Sequence, residues 1–176
     1  MKYRFSWSEI LVRLVAWTAI LLGTYFLLTD KSQADDFLNG SLGMFHNGAP
    51  SPANVKYGEI GHRDFFGPFF NQFSGGAWIQ TPHDDGRTSS GFVSDQLGIQ
   101  VDRGVVIRMA LGPSLISTPD SYLGGHFQFH ETLFLGLRDR TYDVEIGFAY
   151  NHFSSAGFEM PNQGRDFGGI EMSIPW

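Results

Sequence analysis

The sequence predicts an all-β protein: an eight-stranded antiparallel transmembrane β-barrel preceded by an amino-terminal apolar helix. Three observations carry that expectation. Segments in which large apolar residues alternate with small or polar ones recur between turns rich in Gly, Pro and Asn. Of 176 residues only 17% are charged, against 42% hydrophobic and 15% aromatic, with 22 Gly and 17 Phe; globular chains carry about 25% charge. No second apolar run of membrane-spanning length follows Ala34, so any further crossing of a membrane must use strands.

At the amino terminus, Lys2 and Arg4 precede an uncharged apolar run over residues 14–28, and Ser32 and Ala34 place small residues at −3 and −1 of a cleavage site. Residues 1–34 are expected to be a secretory signal peptide. The alternative is a retained signal anchor, because residues 10–28 are long enough to span a bilayer if Arg13 snorkels to its edge. Either way residues 35–176 form the barrel domain, on the far side of the inner membrane. The leader holds four basic and two acidic side chains; the barrel domain holds eight and sixteen. So acidic a body excludes nucleic-acid binding by phosphate neutralisation. With no Cys, disulfide scaffolds and cysteine-ligated metals are excluded as well.

Within the barrel domain, weaker strand candidates cover residues 37–45, 55–62, 77–81 and 91–101. The clearest alternation follows. Val105, Ile107, Met109 and Leu111 oppose Val106, Arg108, Ala110 and Gly112; Leu133, Leu135 and Leu137 oppose Thr132, Phe134 and Gly136. Val144, Ile146, Phe148 and Tyr150 oppose Glu145, Gly147, Ala149 and Asn151; Ile170, Met172, Ile174 and Trp176 close the chain. Turn-rich pieces lie at residues 47–54, 82–91, 117–121 and 160–164. The final Trp with apolar residues two, four and six positions earlier resembles the end of bacterial outer-membrane barrels. Periodicity alone leaves open a soluble lipocalin-like barrel with its large residues inside. The polar set Arg108, Glu145, Asn151 and Glu171, interleaved with glycines, suits a narrow polar lumen instead, and His130 and Gln128 fit the same lumen. Glu131 shares the parity of the apolar face, so a bulge or a membrane-edge position is expected there. Phe65, Phe66, Phe69, Phe70 and Phe73 form either an interfacial girdle or ordinary packing. Asp84-Asp85-Gly86 reads as a solvated loop, lacking the alternating ligands of a calcium loop.

The chemistry concentrates at one hairpin. His152 and Ser154 share the parity of the apolar face, and residues two apart on a strand point the same way with Cα atoms roughly 6.5 to 7 Å apart. Asp166 has the matching parity on the last strand. A serine, a histidine and a carboxylate thus converge, the role set of nucleophilic acyl transfer: Ser154 as nucleophile, His152 as general base and then acid, Asp166 to orient the imidazole. With both barrel ends in the periplasm, the seventh strand runs outward and carries His152 and Ser154 towards the outer leaflet.

The run His152-Phe153-Ser154-Ser155-Ala156-Gly157, followed by Pro161-Asn162-Gln163-Gly164-Arg165-Asp166, resembles the active-site signature of the PagL family of outer-membrane lipid A 3-O-deacylases: His-aromatic-Ser-Asn-Ala, then Pro-Asn-x-Gly-x-Glu. Residues 123–130 and Leu135-Gly136 are similar to that family's preceding segment. The likeness implies an eight-stranded barrel with a triad on Ser154, His152 and Asp166, and an oxyanion hole near the Gly157 amide and the Asn162 side chain. It implies an outer-membrane esterase, needing no cofactor or metal, that removes an ester-linked 3-hydroxyacyl chain from lipid A of lipopolysaccharide. Its partners are that lipid and the surrounding membrane; a homodimer or membrane-complex partners stay open. The alternative is a non-catalytic barrel of the same fold, an accessory subunit anchored in the inner membrane by a retained helix. Two positions depart from the pattern. Asp166 replaces Glu and is one methylene shorter, so the loop is expected to close further, and Ser155 replaces Asn.

Overall fold

The computed structural model describes residues 33–46, 49–80 and 88–175, so the leader (apart from Gln33 and Ala34), the Asp84-Asp85-Gly86 loop and Trp176 lie outside the described residues. Eight strands follow in chain order: β1 (Gln33–His46), β2 (Ala49–Phe66), β3 (Phe69–Gln80), β4 (Ser90–Asp102), β5 (Val105–Ile116), β6 (Phe127–Asp139), β7 (Val144–Ser154) and β8 (Arg165–Pro175). Each pairs antiparallel with its neighbour in sequence, and β1 pairs with β8 to close the barrel. Closure leaves no free edge in the barrel wall, the condition for strands to cross lipid.

The pleat decides which face meets lipid. Leu133, Leu135 and Leu137 on β6 are 46–61% exposed, while Phe134 and Gly136 between them are buried. The same alternation holds on β5, β7 and β8, where Met109, Ile146 and Ile170 all face out. So continuous a band of large apolar side chains needs a lipid surround, which fixes the barrel as the membrane type with its large residues outside.

The interior has two storeys. Towards the end with short turns, Glu171 Oε1 accepts hydrogen bonds from both Arg63 Nη2 and Arg108 Nη1 at 2.6 Å, and Arg108 also pairs with Glu145. Gln72 bridges Arg63 (2.6 Å) to Gln96 (2.7 Å). Buried charge survives only when paired and hydrogen-bonded, as here. Towards the other end, Tyr57, Trp78, Phe92, Phe153 and Phe167 stack into an aromatic plug, with Tyr57 and Phe167 rings 4.7 Å apart. Gly98 in the wall makes room for another buried ring, that of Phe70: a Cβ there would lie 2.1 Å from it.

Turns are asymmetric. Gly67-Pro68, Arg103-Gly104 and residues 140–143 close one end, with Gly67 at φ 69° and Gly104 at φ 90°, values only Gly adopts cheaply. Among the described residues the longer connections, 117–126 and 155–164, lie at the other end, the pattern of an outer-membrane barrel.

Three expectations are resolved or corrected. Of the two accounts of Glu131, the bulge is excluded, because the register runs unbroken through Leu111↔Glu131 and Glu131↔His152. Its carboxylate sits in one transverse row with His152 and Asp166, polar neighbours that remove the need to turn it inward. The irregularity falls on β1 instead, between Leu42 and Met44. Residues 49–54 are strand and not turn: Ala49, Pro50 and Ser51 stand opposite His46, Phe45 and Met44 of β1. The phenylalanines divide: Phe70 is fully buried, whereas Phe69 and Phe73 face outward.

Candidate active site

β7 ends in Asn151-His152-Phe153-Ser154. Alternation sends Asn151 and Phe153 inside, both buried, and leaves His152 and Ser154 half-buried on the outer face. On the neighbouring strand, Asp166 stands directly opposite His152 in the β7–β8 register. His152 Nδ1 and Asp166 Oδ1 are 2.6 Å apart. A carboxylate only accepts, so Nδ1 carries the proton and donates, and Nε2 is left with its lone pair free to accept one. Ser154 lies on the same face, at the mouth with the long loops. No hydrogen bond joins its hydroxyl to the imidazole, and such contacts commonly tighten only with substrate bound. The shorter Asp166 needs no loop closure: as a direct cross-strand neighbour its Cβ is about 5 Å from that of His152, within reach of an aspartate.

The connection between β7 and β8 is built tightly against the strand end. Ser155 is buried; its amide donates to Asn162 Oδ1 at 2.8 Å and its Oγ donates to the Glu159 carbonyl at 2.8 Å. Asn162 in turn makes a β-bridge with Leu123. Asn162 is thereby fixed beside the residue that follows Ser154, with its oxygen occupied and its NH2 group left as donor. Gly157, at φ 85°, is exposed in the turn past Ser155, which Phe158 N closes by donating to Ser155 O at 3.0 Å. The Ser155 hydroxyl therefore has a use of its own, pinning this loop.

A second clamp holds the same mouth. Asp120 Oδ1 accepts from the amides of Tyr122 (2.8 Å) and Leu123 (3.0 Å), while Oδ2 accepts from the Thr88 amide and from Arg165. Arg165 lies over the Trp78 ring at 5.7 Å. The 117–126 loop and the start of β8 are thus tied to the aromatic plug one residue from Asp166.

The family model for lipid A 3-O-deacylase (PagL) matches residues 60–175. The chain belongs to that family. The match spans β2 to β8, well beyond residues 123–166 that carry the sequence motifs. Among solved structures, the fold is similar to one titled the outer membrane enzyme PagL, with a TM-score of 0.56 and 13% identity over 83% of this chain and 100% of that one. Neisserial surface protein A (NspA) is also similar, with a TM-score of 0.48 and 9% identity over 82% of this chain and 96% of that one. No curated protein matches in sequence.

The three polar exceptions on the outer face of this PagL-family barrel are legible in the sequence; what surrounds them is not. Tyr150, read only as part of the apolar wall, donates from its hydroxyl to Asp166 Oδ1 at 2.5 Å. Gly164, inside the quoted motif, adopts φ 75°, and a Cβ on it would lie 2.6 Å from His152 Cε1 and 3.3 Å from Nε2. Its place between Asn162 and Asp166 was the available signal, since a motif glycine marks either a positive φ or a close approach; here it marks both.

Proposed function

We propose that this PagL-family barrel is a serine esterase of the outer membrane that hydrolyses an ester-linked 3-hydroxyacyl chain from lipid A. One observation carries the reading: the His152–Asp166 hydrogen bond stands on the lipid-facing surface, at the strand end that bears Ser154. A second outward pair, His62–Asp36 at 2.9 Å, shows that such a pair alone is no catalytic mark; the nearby Ser154 and the family match distinguish His152–Asp166. The family match and the closed barrel favour the outer membrane over an inner-membrane anchor, and an outward-facing nucleophile reaches an acyl ester without drawing lipopolysaccharide out of its leaflet.

In this reading Ser154 Oγ attacks the ester carbonyl carbon and its proton passes to His152 Nε2. Asp166 holds Nδ1–H and stabilises the imidazolium. The oxyanion is met by the Gly157 amide and the Asn162 NH2 group, each donor worth about 3 to 4 kcal/mol in such sites. Collapse expels the sugar oxygen, which takes the proton from Nε2. Water, deprotonated by the same nitrogen, then releases the 3-hydroxy fatty acid and regenerates Ser154.

The test is incubation of the purified full-length chain with lipopolysaccharide in detergent, with free 3-hydroxy fatty acid measured by mass spectrometry. Release above a protein-free control is expected; none over a range of detergents and lipid A sources sinks the reading. Gly164→Ala is expected to lower turnover roughly ten- to a hundredfold while the barrel stays folded, because the methyl group displaces the imidazole. Turnover equal to the parent protein would show that the ring position is not set by Gly164.

A further inference from the structure

Asp166 Oδ1 receives two hydrogen bonds from the same outer face: His152 Nδ1 at 2.6 Å and the Tyr150 hydroxyl at 2.5 Å. We propose that Tyr150 is a positioning residue of this site, its phenol pinning the Asp166 carboxylate in the one orientation that holds the His152 imidazole. The inference rests on the esterase reading above and deepens it.

The local geometry explains why a tyrosine does this. Tyr150 precedes His152 by two residues and so shares its face. Its own cross-strand partner on β8 is Gly168, which has no side chain, and Asp166 is the diagonal neighbour two residues away. Diagonal positions across an antiparallel pair are within reach of aromatic side chains. With Gly168 opposite, the phenol can lean over the strand to the carboxylate.

The aspartate makes the second bond matter. A carboxylate attached through one methylene turns easily about its last torsion, and each bond to it narrows that turn. Fixing Oδ1 from two sides restricts the carboxylate, hence the direction of Nδ1–H, hence the direction in which Nε2 faces Ser154. On a half-buried, lipid-facing surface there is little water to replace the phenol as a donor to that oxygen.

The experiment uses the full-length chain in detergent and measures kcat and KM for fatty acid release from lipopolysaccharide in the parent, Tyr150→Phe, Asp166→Asn and the double variant. Ser154→Ala sets the background, and heat-modifiable gel mobility checks that each barrel is folded. Tyr150→Phe is expected to lose roughly ten- to a hundredfold in kcat with KM little changed, and to add nothing in the Asp166→Asn background, since its action passes through that carboxylate. Leu133→Ala removes the β6 neighbour paired with Tyr150 without touching the hydrogen bond, and should stay within about twofold of the parent. Parent-level kcat in Tyr150→Phe overturns the proposal. So does an equal loss on top of Asp166→Asn, or a loss in Leu133→Ala matching that of Tyr150→Phe, since either means that packing and not the bond is at work. A parent protein no more active than Ser154→Ala overturns the esterase reading itself, a result distinct from all of these.

Discussion

Ser154→Ala is expected to abolish release of 3-hydroxy fatty acid from lipopolysaccharide, with His152→Asn close behind it. A reaction that proceeds through an acyl-serine has no second route once Oγ is gone, and without the imidazole the hydroxyl keeps its proton. In a unit of this kind, loss of nucleophile or base costs roughly 10⁶-fold in kcat, and removing both costs little more than removing either. The double variant should therefore match Ser154→Ala. Asp166→Asn is the sharper probe of geometry: an amide NH2 facing Nδ1 favours the wrong tautomer, with a loss of about 10⁴-fold. All three side chains lie on the outer face and leave the buried interior untouched, so the folded barrel should persist in each. Activity in Ser154→Ala near that of the parent would end the triad assignment.

The second large effect is on stability. Glu171 is shared by Arg63 and Arg108, and all three side chains are fully buried in the lumen. Glu171→Ala leaves two guanidinium groups facing a cavity where their common acceptor stood. Removing one partner of a buried ion pair costs about 3 to 5 kcal/mol where the remaining charge is uncompensated; Arg108 keeps Glu145 and Arg63 keeps Asp35 at 3.6 Å, so the loss should fall at or below the low end of that range. Urea unfolding in phospholipid vesicles, followed by tryptophan fluorescence, should show that loss. Asp143→Asn is the contrast: it removes an exposed carboxylate 3.6 Å from Arg138, a surface pair worth less than about 1 kcal/mol. Similar midpoints for the two variants would mean that the lumen network is better hydrated than its burial implies.

Much of this architecture was legible in the chain. Period-two runs such as Leu133 to Leu137 and Val144 to Tyr150 marked strands, because a strand's side chains alternate sides whatever it packs against. His152, Ser154 and Asp166 stood out as polar residues at positions where that period calls for apolar ones. Other features were hidden. The extension of β2 through residues 49–54 was hidden by Pro50 and Pro52, which read locally as turn residues. Glu131 left a choice between a bulge and a membrane-edge position, since no local rule reveals that its neighbours across two strands are His152 and Asp166.

The division has a physical cause. Alternation, turn chemistry and the parity of each side chain are properties of a few consecutive residues, so the sequence by itself determined the strands, their count and which residues share a face. Register between strands is set by how the whole sheet closes and by which interior side chains fill it. Only the tertiary structure could therefore place Asp166 opposite His152, bring the Tyr150 hydroxyl to the same carboxylate oxygen, and seat the imidazole over Gly164.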